Sequence, residues 1–296
     1  ANLAVAGAKA IAGVISGSAA MQAEAVHSVA DTLTEAVLFV ATRRGRRQPD
    51  PRHPLGHGRE TYLWAFLAAV ITFVVGAGFA IVRGLDILFH GEPGESAGLV
   101  PLVVLAFAFV MEGVSLRRSM TQARAGAQRA GVPRRTYVLV TSDTSLKAVI
   151  LEDIAALTGL VIAAVGLGLW HYTGDPRWDG AASLMIGLLL VVVAMTLAAT
   201  NLSLLTGKAA SAPLQTALRE EVEALPGIEA VHVFVAMVLG PGNLFVAAKV
   251  HFASDSSAAD IEHVADEAEA HLRRRFPGVS YVFLDPTGPP ASDEAS

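Results

Sequence analysis

Four stretches, at about 61–89, 98–116, 143–170 and 180–205, are rich in Val, Leu, Ala and Ile and carry few charges. Each is close to the ~20 residues that a helix needs to cross a bilayer. No water is present in hydrocarbon to hydrogen-bond an exposed backbone, so such runs must satisfy their own N–H and C=O groups and fold as helices. These blocks make the chain 53% hydrophobic overall. They predict an integral membrane protein with a soluble part, not one large soluble domain.

Two further apolar segments precede them. Residues 2–15 are apolar but short for a span, which suggests a first helix whose beginning is missing. No signal peptide with a cleavage site is seen. Ser16-Gly17-Ser18 makes a turn, and a second helix is expected over about 20–42. Six transmembrane helices place both termini on one side. Arg43, Arg44, Arg46, Arg47, Arg52 and Arg59 follow helix two, and Arg117, Arg118, Arg124, Arg129, Arg134 and Arg135 follow helix four. The opposite loops hold only Arg177. By the positive-inside rule the termini and both basic loops face the cytoplasm. With no cysteine in the chain, disulfides and thiolate metal sites are excluded.

From Pro213 the periodicity changes. "LQTALREEVEALPG" reads as an amphipathic helix ending at Gly227. "EAVHVFVAMVLG" and "NLFVAAKVHFA" read as strands about Pro241-Gly242. "SAADIEHVADEAEAHLRRRFPG" is a second helix with Ser257 as N-cap, and "VSYVFLD" a last strand. The expected organisation is a six-helix transmembrane domain over 1–208, an αββαβ α+β domain over 209–286, helices on one face of a small sheet, and a disordered tail over 287–296.

The membrane part carries ionisable residues that cost about 2.5–3.5 kcal/mol each at the bilayer centre. In "AEAVHSVAD", His27 and Asp31 lie four residues apart and share a helical face. In helix five, Glu152 and Asp153 sit inside the apolar run. A histidine with several carboxylates can bind a divalent cation or carry protons. Two acidic clusters on separate helices favour a site over mere internal pairing. Glu24 and Glu112 lie nearer the interfaces, where a structural salt bridge or solvated position is expected. Asp50, His53 and His57 have metal-ligand spacing in the loop after helix two, and from the spacing alone a metal site and a solvated loop are equally open. In the tail, His232 and His251 lie on adjacent strands, Asp285 ends the last strand, and His271 is expected on an exposed helix face.

The sequence resembles the cation diffusion facilitator family, which includes the ZnT-type zinc transporters. The motifs that carry the resemblance are "SGSAAMQAEAVHSVAD", "HPLGHGRE" and "RRFPGVSYVFLDP". It implies a homodimeric secondary transporter that exports a divalent cation, zinc first, from the cytoplasm in exchange for protons by alternating access. It also implies a ferredoxin/metallochaperone-like cytoplasmic domain. His27 and Asp31 match the family's helix-two ligands, and Asp153 its helix-five acid. The remaining ligand position falls on Val149, which cannot coordinate, and Glu152 is the substitute as fourth ligand or proton acceptor. The Glu-Asp pair is similar to the branch containing the mitochondrial-type ZnT transporter.

Asp50, His53 and His57 match the family's loop zinc site. His232, His251 and Asp285 match part of a binuclear cytoplasmic site, two of whose histidine positions read Glu262 and Phe283 here. Arg59 matches the basic member of a charge interlock whose acid is replaced around Thr206-Gly207. An alternative is a non-transporting metal-sensing or partner subunit, or a transporter preferring Mn²⁺, Fe²⁺ or Co²⁺. The missing GxxxxGK[ST] loop argues against an ATP-driven pump, and nothing indicates a nucleic-acid partner. High Ala, Gly, Val and Arg content suggests a GC-rich bacterium, hence its inner membrane.

Overall fold

The computed structural model describes residues 2–91, 99–129, 133–140, 143–276 and 278–288. Most of the predicted loop at 90–98, residues 130–132 of the basic connector and most of the tail at 287–296 lie outside them. The chain divides into two compact units: residues 1–43 with 62–202, and residues 44–61 with 203–296. The loop after helix two, grouped by the sequence with the membrane part, packs with the C-terminal unit.

The first unit is helical. α1 (Asn2–Ser16) and α2 (Ala19–Gly45) are separated by Gly17, whose φ of 66° is the left-handed conformation the tight reversal needs. The α2 start borrows its cap from far away in sequence. Asp179, in the first turn of α8 (Arg177–Leu205), accepts from Ser18 Oγ at 2.6 Å and from the backbone N–H groups of Ala19 and Ala20 at 2.5 and 3.4 Å. A carboxylate there satisfies orphan donors and complements the helix dipole.

α3 (Glu60–Ile71) runs through a π-helical stretch at Thr72–Ala77 into α4 (Gly78–His90), giving one continuous helix of 31 residues. The π stretch sets Thr72 Oγ1 3.2 Å from Thr34 Oγ1 of α2. α4 and α8 meet through glycines: a Cβ on Gly84 would lie 2.6 Å from the Leu184 nitrogen and 2.8 Å from the Gly180 oxygen. Such close backbone approach is how helices pack where burial of apolar surface provides no drive between them.

Helix four of the sequence reading extends much further than 98–116. α5 (Leu99–Arg129) continues through most of the predicted basic connector, and a short α6 (Arg134–Val140) follows. "SLRRSMTQARAGAQR" is rich in Ala, Arg, Gln and Met, which lose little freedom in a helix. Its Ala123 packs against Leu146 and Ile150 of α7 (Thr144–Thr173), with Met120 and Tyr137 around them. Among the described residues four helices are long and apolar enough to cross a membrane: Glu60–His90, Val100–Gln128, Thr144–Thr173 and Arg177–Leu205. α1 is shorter, and α2 carries the ionisable groups.

The second unit follows the αββαβ expectation. α9 (Ala212–Glu223), β1 (Ile228–Gly240), β2 (Asn243–Phe252), α10 (Ala258–Arg275) and β3 (Val279–Pro286) form a three-stranded sheet of order β1-β2-β3 with helices packed on it. β1 and β2 pair antiparallel, β2 and β3 parallel. Ser257 caps α10 through a capping box with Asp260. Val246, Ala248, Val250 and Phe252 of β2 face Leu218, Val222 and Leu272 in the core. Segment 208–210 pairs along β1, with Ala210 N–H donating to Ala236 O and Val238 N–H to Lys208 O.

Candidate metal centres

The first candidate lies inside the helical unit. α2 carries His27 and Asp31 on one face, with His27 Nδ1 3.3 Å from Asp31 Oδ1. That contact lies outside hydrogen-bond geometry. Both His27 nitrogens, Asp31 Oδ1 and Glu152 Oε1 are buried with no hydrogen-bond partner. A buried polar atom left unpaired costs about 1–3 kcal/mol, and more when charged. Such atoms stand on two helices, α2 and α7.

Asp31 and Glu152 border one small, partly open cavity. From α2 it is lined by Ser28, Asp31 and Glu35, from α5 by Glu112, and from α7 by Val149, Glu152 and Asp153. Glu152 and Asp153 are buried, and Ser119 of α5 donates to Asp153 Oδ2 at 3.3 Å. Val149, one turn before Asp153, offers a methyl-lined wall where a ligand is expected. Of the four predicted residues, Asp31, Glu152 and Asp153 line this cavity, while His27 is outside the lining and touches Asp31; among the described residues no three of their ligand atoms come within 4.8 Å of one another. Glu35 and Glu112, both on its wall, had no place in the predicted ligand set.

A second feature was missed altogether. Lys9, the lone cation of α1, is fully buried. Its Nζ lies 3.1 Å from Glu24 Oε2 and donates to Ser28 Oγ at 2.8 Å. Glu24 is thus a structural ion-pair partner, as its position suggested, but a fully buried one. Gly159 of α7 leaves the room for it, since a Cβ there would collide with the Glu24 carboxylate. The only sequence signal is a single lysine in an otherwise apolar helix, the kind of residue that must find a partner.

The second candidate is the loop of the C-terminal unit. Asp50, His53 and His57 offer ligand atoms all within 4.8 Å of one another, and they are the one such group of three among the described residues. The local backbone builds it. Asp50 and His53 exchange backbone hydrogen bonds at 3.2 and 3.0 Å, and the Asp50 carboxylate accepts from the N–H groups of Arg52 and His53. Gly56, at φ 81°, turns the chain back. Gly58 then lies against Leu239 and Gly240, where a Cβ would come within 2.7 Å of the Leu239 oxygen. Tyr281 Oη donates to Pro54 O at 3.4 Å.

His57 Nε2 lies 3.0 Å from Asp50 Oδ2 and His57 Nδ1 2.6 Å from Glu60 Oε1. The hydrogen bonds to Glu60 first, and to Asp50, raise the His57 pKa above its ordinary value. The His57 bond, with the His53 and Arg52 N–H groups, holds Asp50 down to about 2. Two imidazoles and a carboxylate fit zinc, with Glu60 fixing the Nδ1–H tautomer and leaving Nε2 for the ion. Glu60 was not singled out from the sequence, although its place three residues after His57 is the signal for such a partner.

The tail residues are less gathered. His232 and His251 have ring centroids 6.3 Å apart, and His251 Nε2 lies 3.4 Å from Glu229 Oε2. Asp285 is registered opposite Lys249, not His251. His271 is half-exposed and bonds Glu221 Oε2 at 2.6 Å, joining α10 to α9. Arg59 Nη2 lies 3.5 Å from Met237 Sδ, with Gly207 beside both.

Comparison with known proteins gives two family matches: the cation efflux transmembrane domain over residues 1–206, and the cation efflux protein cytoplasmic domain over residues 211–285. The chain is 35% identical over 244 residues to the mitochondrial proton-coupled zinc antiporter SLC30A9 of Mus musculus, covering 82% of this chain and 43% of that protein. It is 33% identical to metal tolerance protein C4 of Arabidopsis thaliana, covering 80% and 52%. An uncharacterised transporter of Methanocaldococcus jannaschii is 24% identical over 94% of this chain and 92% of its own length. The chain thus spans about half or less of the length of its more similar relatives.

Proposed function

From its membership of the cation efflux family, to which the chain belongs, we propose that it is a divalent-cation transporter of the membrane that exchanges zinc for protons. The observation that carries this reading is the set of buried, unpartnered groups at the α2–α7 cavity. His27, Asp31 and Glu152 have buried donors and acceptors with no hydrogen-bond partner among the described residues, and a cation supplies what they lack.

A neutral imidazole and ionised carboxylates are the metal-binding forms, so metal and protons compete for the same atoms. Facing the cytoplasm the site loads metal and releases protons. Facing the other side it takes up protons and releases metal. His27, Asp31 and Asp153 hold the ion, with Glu152 as further ligand or proton acceptor. One imidazole among carboxylates is a harder donor set than a histidine-rich one, so Mn²⁺, Co²⁺ and Fe²⁺ are tolerated beside zinc.

α1 and α2 complete six spans with the four long apolar helices, and the one-sided arginine distribution puts both termini and the C-terminal unit in the cytoplasm of a bacterial cell. The loop triad holds a structural zinc ion. The chain acts as a homodimer, a reading supported by the sheet face turned away from the helices, which exposes Val233, Val235 and Phe283. His232, His251 and Asp285 form at most a weak further site.

Zinc uptake into proteoliposomes tests the proposal: Asp31→Ala or Asp153→Ala stops it, and wild-type uptake by either variant sinks it. Val149 on the cavity wall favours a second reading, a metal-sensing or partner subunit. That reading predicts no zinc flux from the purified protein alone.

A further inference from the structure

The intramembrane cavity has one wall that the α2–α7 ligand set does not use. α5 packs along α7, and the Ser119–Asp153 hydrogen bond fixes its rotation there. Glu112 lies seven residues before Ser119, two turns away on the same face. It lines the cavity shared by Asp31, Val149 and Asp153.

Opposite it the donor set is incomplete. Val149 presents no ligand atom, while the buried Glu152 Oε1 lines the same space with no partner. A divalent ion held by His27, Asp31 and Asp153, with Glu152 as further ligand or proton acceptor, has room in a four- to five-coordinate shell for one more carboxylate. Glu112 is the carboxylate that a third helix brings to the lining of that cavity. This reasoning rests on the transport reading above only for the ion's being cargo.

We propose that Glu112 of α5 is a ligand of the transported cation and supplies the contact that Val149 cannot. The ion is then held from three helices. Its selectivity is set by a carboxylate from α5, so that movement of α5 against α7 opens the coordination shell.

The test uses the full chain with His57→Asn throughout to remove the loop site, and measures zinc binding and zinc flux separately. Glu112→Gln, which keeps size and loses charge, weakens zinc binding and raises the zinc KM by about tenfold or more. Val149→Asp in that background puts a carboxylate back into the shell and recovers most of the loss. Unchanged binding in Glu112→Gln overturns the inference. So does a loss that Val149→Asp fails to repair while the thermal melt matches the parent, because Glu112 then acts without touching the ion. Zinc binding that depends on Glu112 with no flux from the parent chain supports the ligand and overturns the transport reading instead.

Discussion

The loop triad and the intramembrane cavity use similar side chains in opposite ways. In the loop, Asp50, His53, His57 and Glu60 bind one another and their own backbone, and the charges are compensated before any metal arrives. In the membrane unit, His27, Asp31 and Glu152 keep buried atoms that no described residue satisfies by a hydrogen bond. A self-paired site is stable empty, and an ion entering it must displace a proton and a hydrogen bond. An unpaired buried site stays costly until a cation or protons enter, which suits a site that must fill and empty in turn. Within the membrane unit the buried Lys9 and Glu24 follow the loop's self-paired pattern, as do the more exposed Arg83 and Asp86.

The largest expected effect breaks the buried Lys9–Glu24 pair. Lys9→Met leaves the Glu24 carboxylate buried and alone, and the detergent-solubilised protein loses about 3–5 kcal/mol of stability. Adding Glu24→Leu restores most of it, because replacing a buried pair by apolar side chains is close to neutral. Equal melting temperatures for Lys9→Met and wild type contradict the pairing.

Next comes Glu152→Ala. Removing an unpartnered carboxylate relieves a desolvation cost, so stability holds or rises, while zinc affinity at the cavity falls about a hundredfold, near 2.7 kcal/mol. Calorimetric titration reads both the affinity and the number of sites. Affinity unchanged with altered proton coupling assigns Glu152 to proton transfer instead of ligation.

At the loop, Glu60→Gln keeps the three ligands but weakens the orientation of His57. Metal affinity there falls about tenfold, the usual size for loss of a ligand's supporting hydrogen bond. The smallest effect is a pH dependence. The His57 pKa is raised above 6.5, so its contribution to the metal-free loop is present below 6.5 and fades as pH rises through the raised value. Asp50 is held at about 2, so its contribution persists above its ordinary pKa and is lost as pH falls through about 2. Metal binding must expel the His57 proton, so loop affinity declines as pH drops below the raised pKa. A flat affinity between pH 6 and 8 contradicts this protonation scheme.

Much of the fold was legible because its signals are local. The apolar runs, the capping residue Ser257 and the alternation of β2 each lie within a few neighbouring residues. Helix α5 was cut short because a run of arginines reads as a solvated connector, although the same residues are good helix formers. At the site, His27, Asp31 and Asp153 stood out as charges within apolar helices, and Asp50, His53 and His57 by spacing. Glu112 stood out too, but its place near an interface read as a salt bridge or solvated position; Lys9 and Asp179 did not stand out, for a shared reason. Their partners lie on other helices, and helix rotation is set by packing that a single sequence does not display. Asp179 meets Ser18 across 161 positions.

The central claim is that the cation and the protons share the atoms of the α2–α7 cavity. Simultaneous recording of zinc uptake and proton release from proteoliposomes containing the purified chain tests it most directly, with Asp31→Asn beside the wild type. The account predicts counterflow of zinc and protons in the wild type and loss of both in Asp31→Asn. Zinc movement without proton counterflow, or wild-type flux in Asp31→Asn, contradicts it.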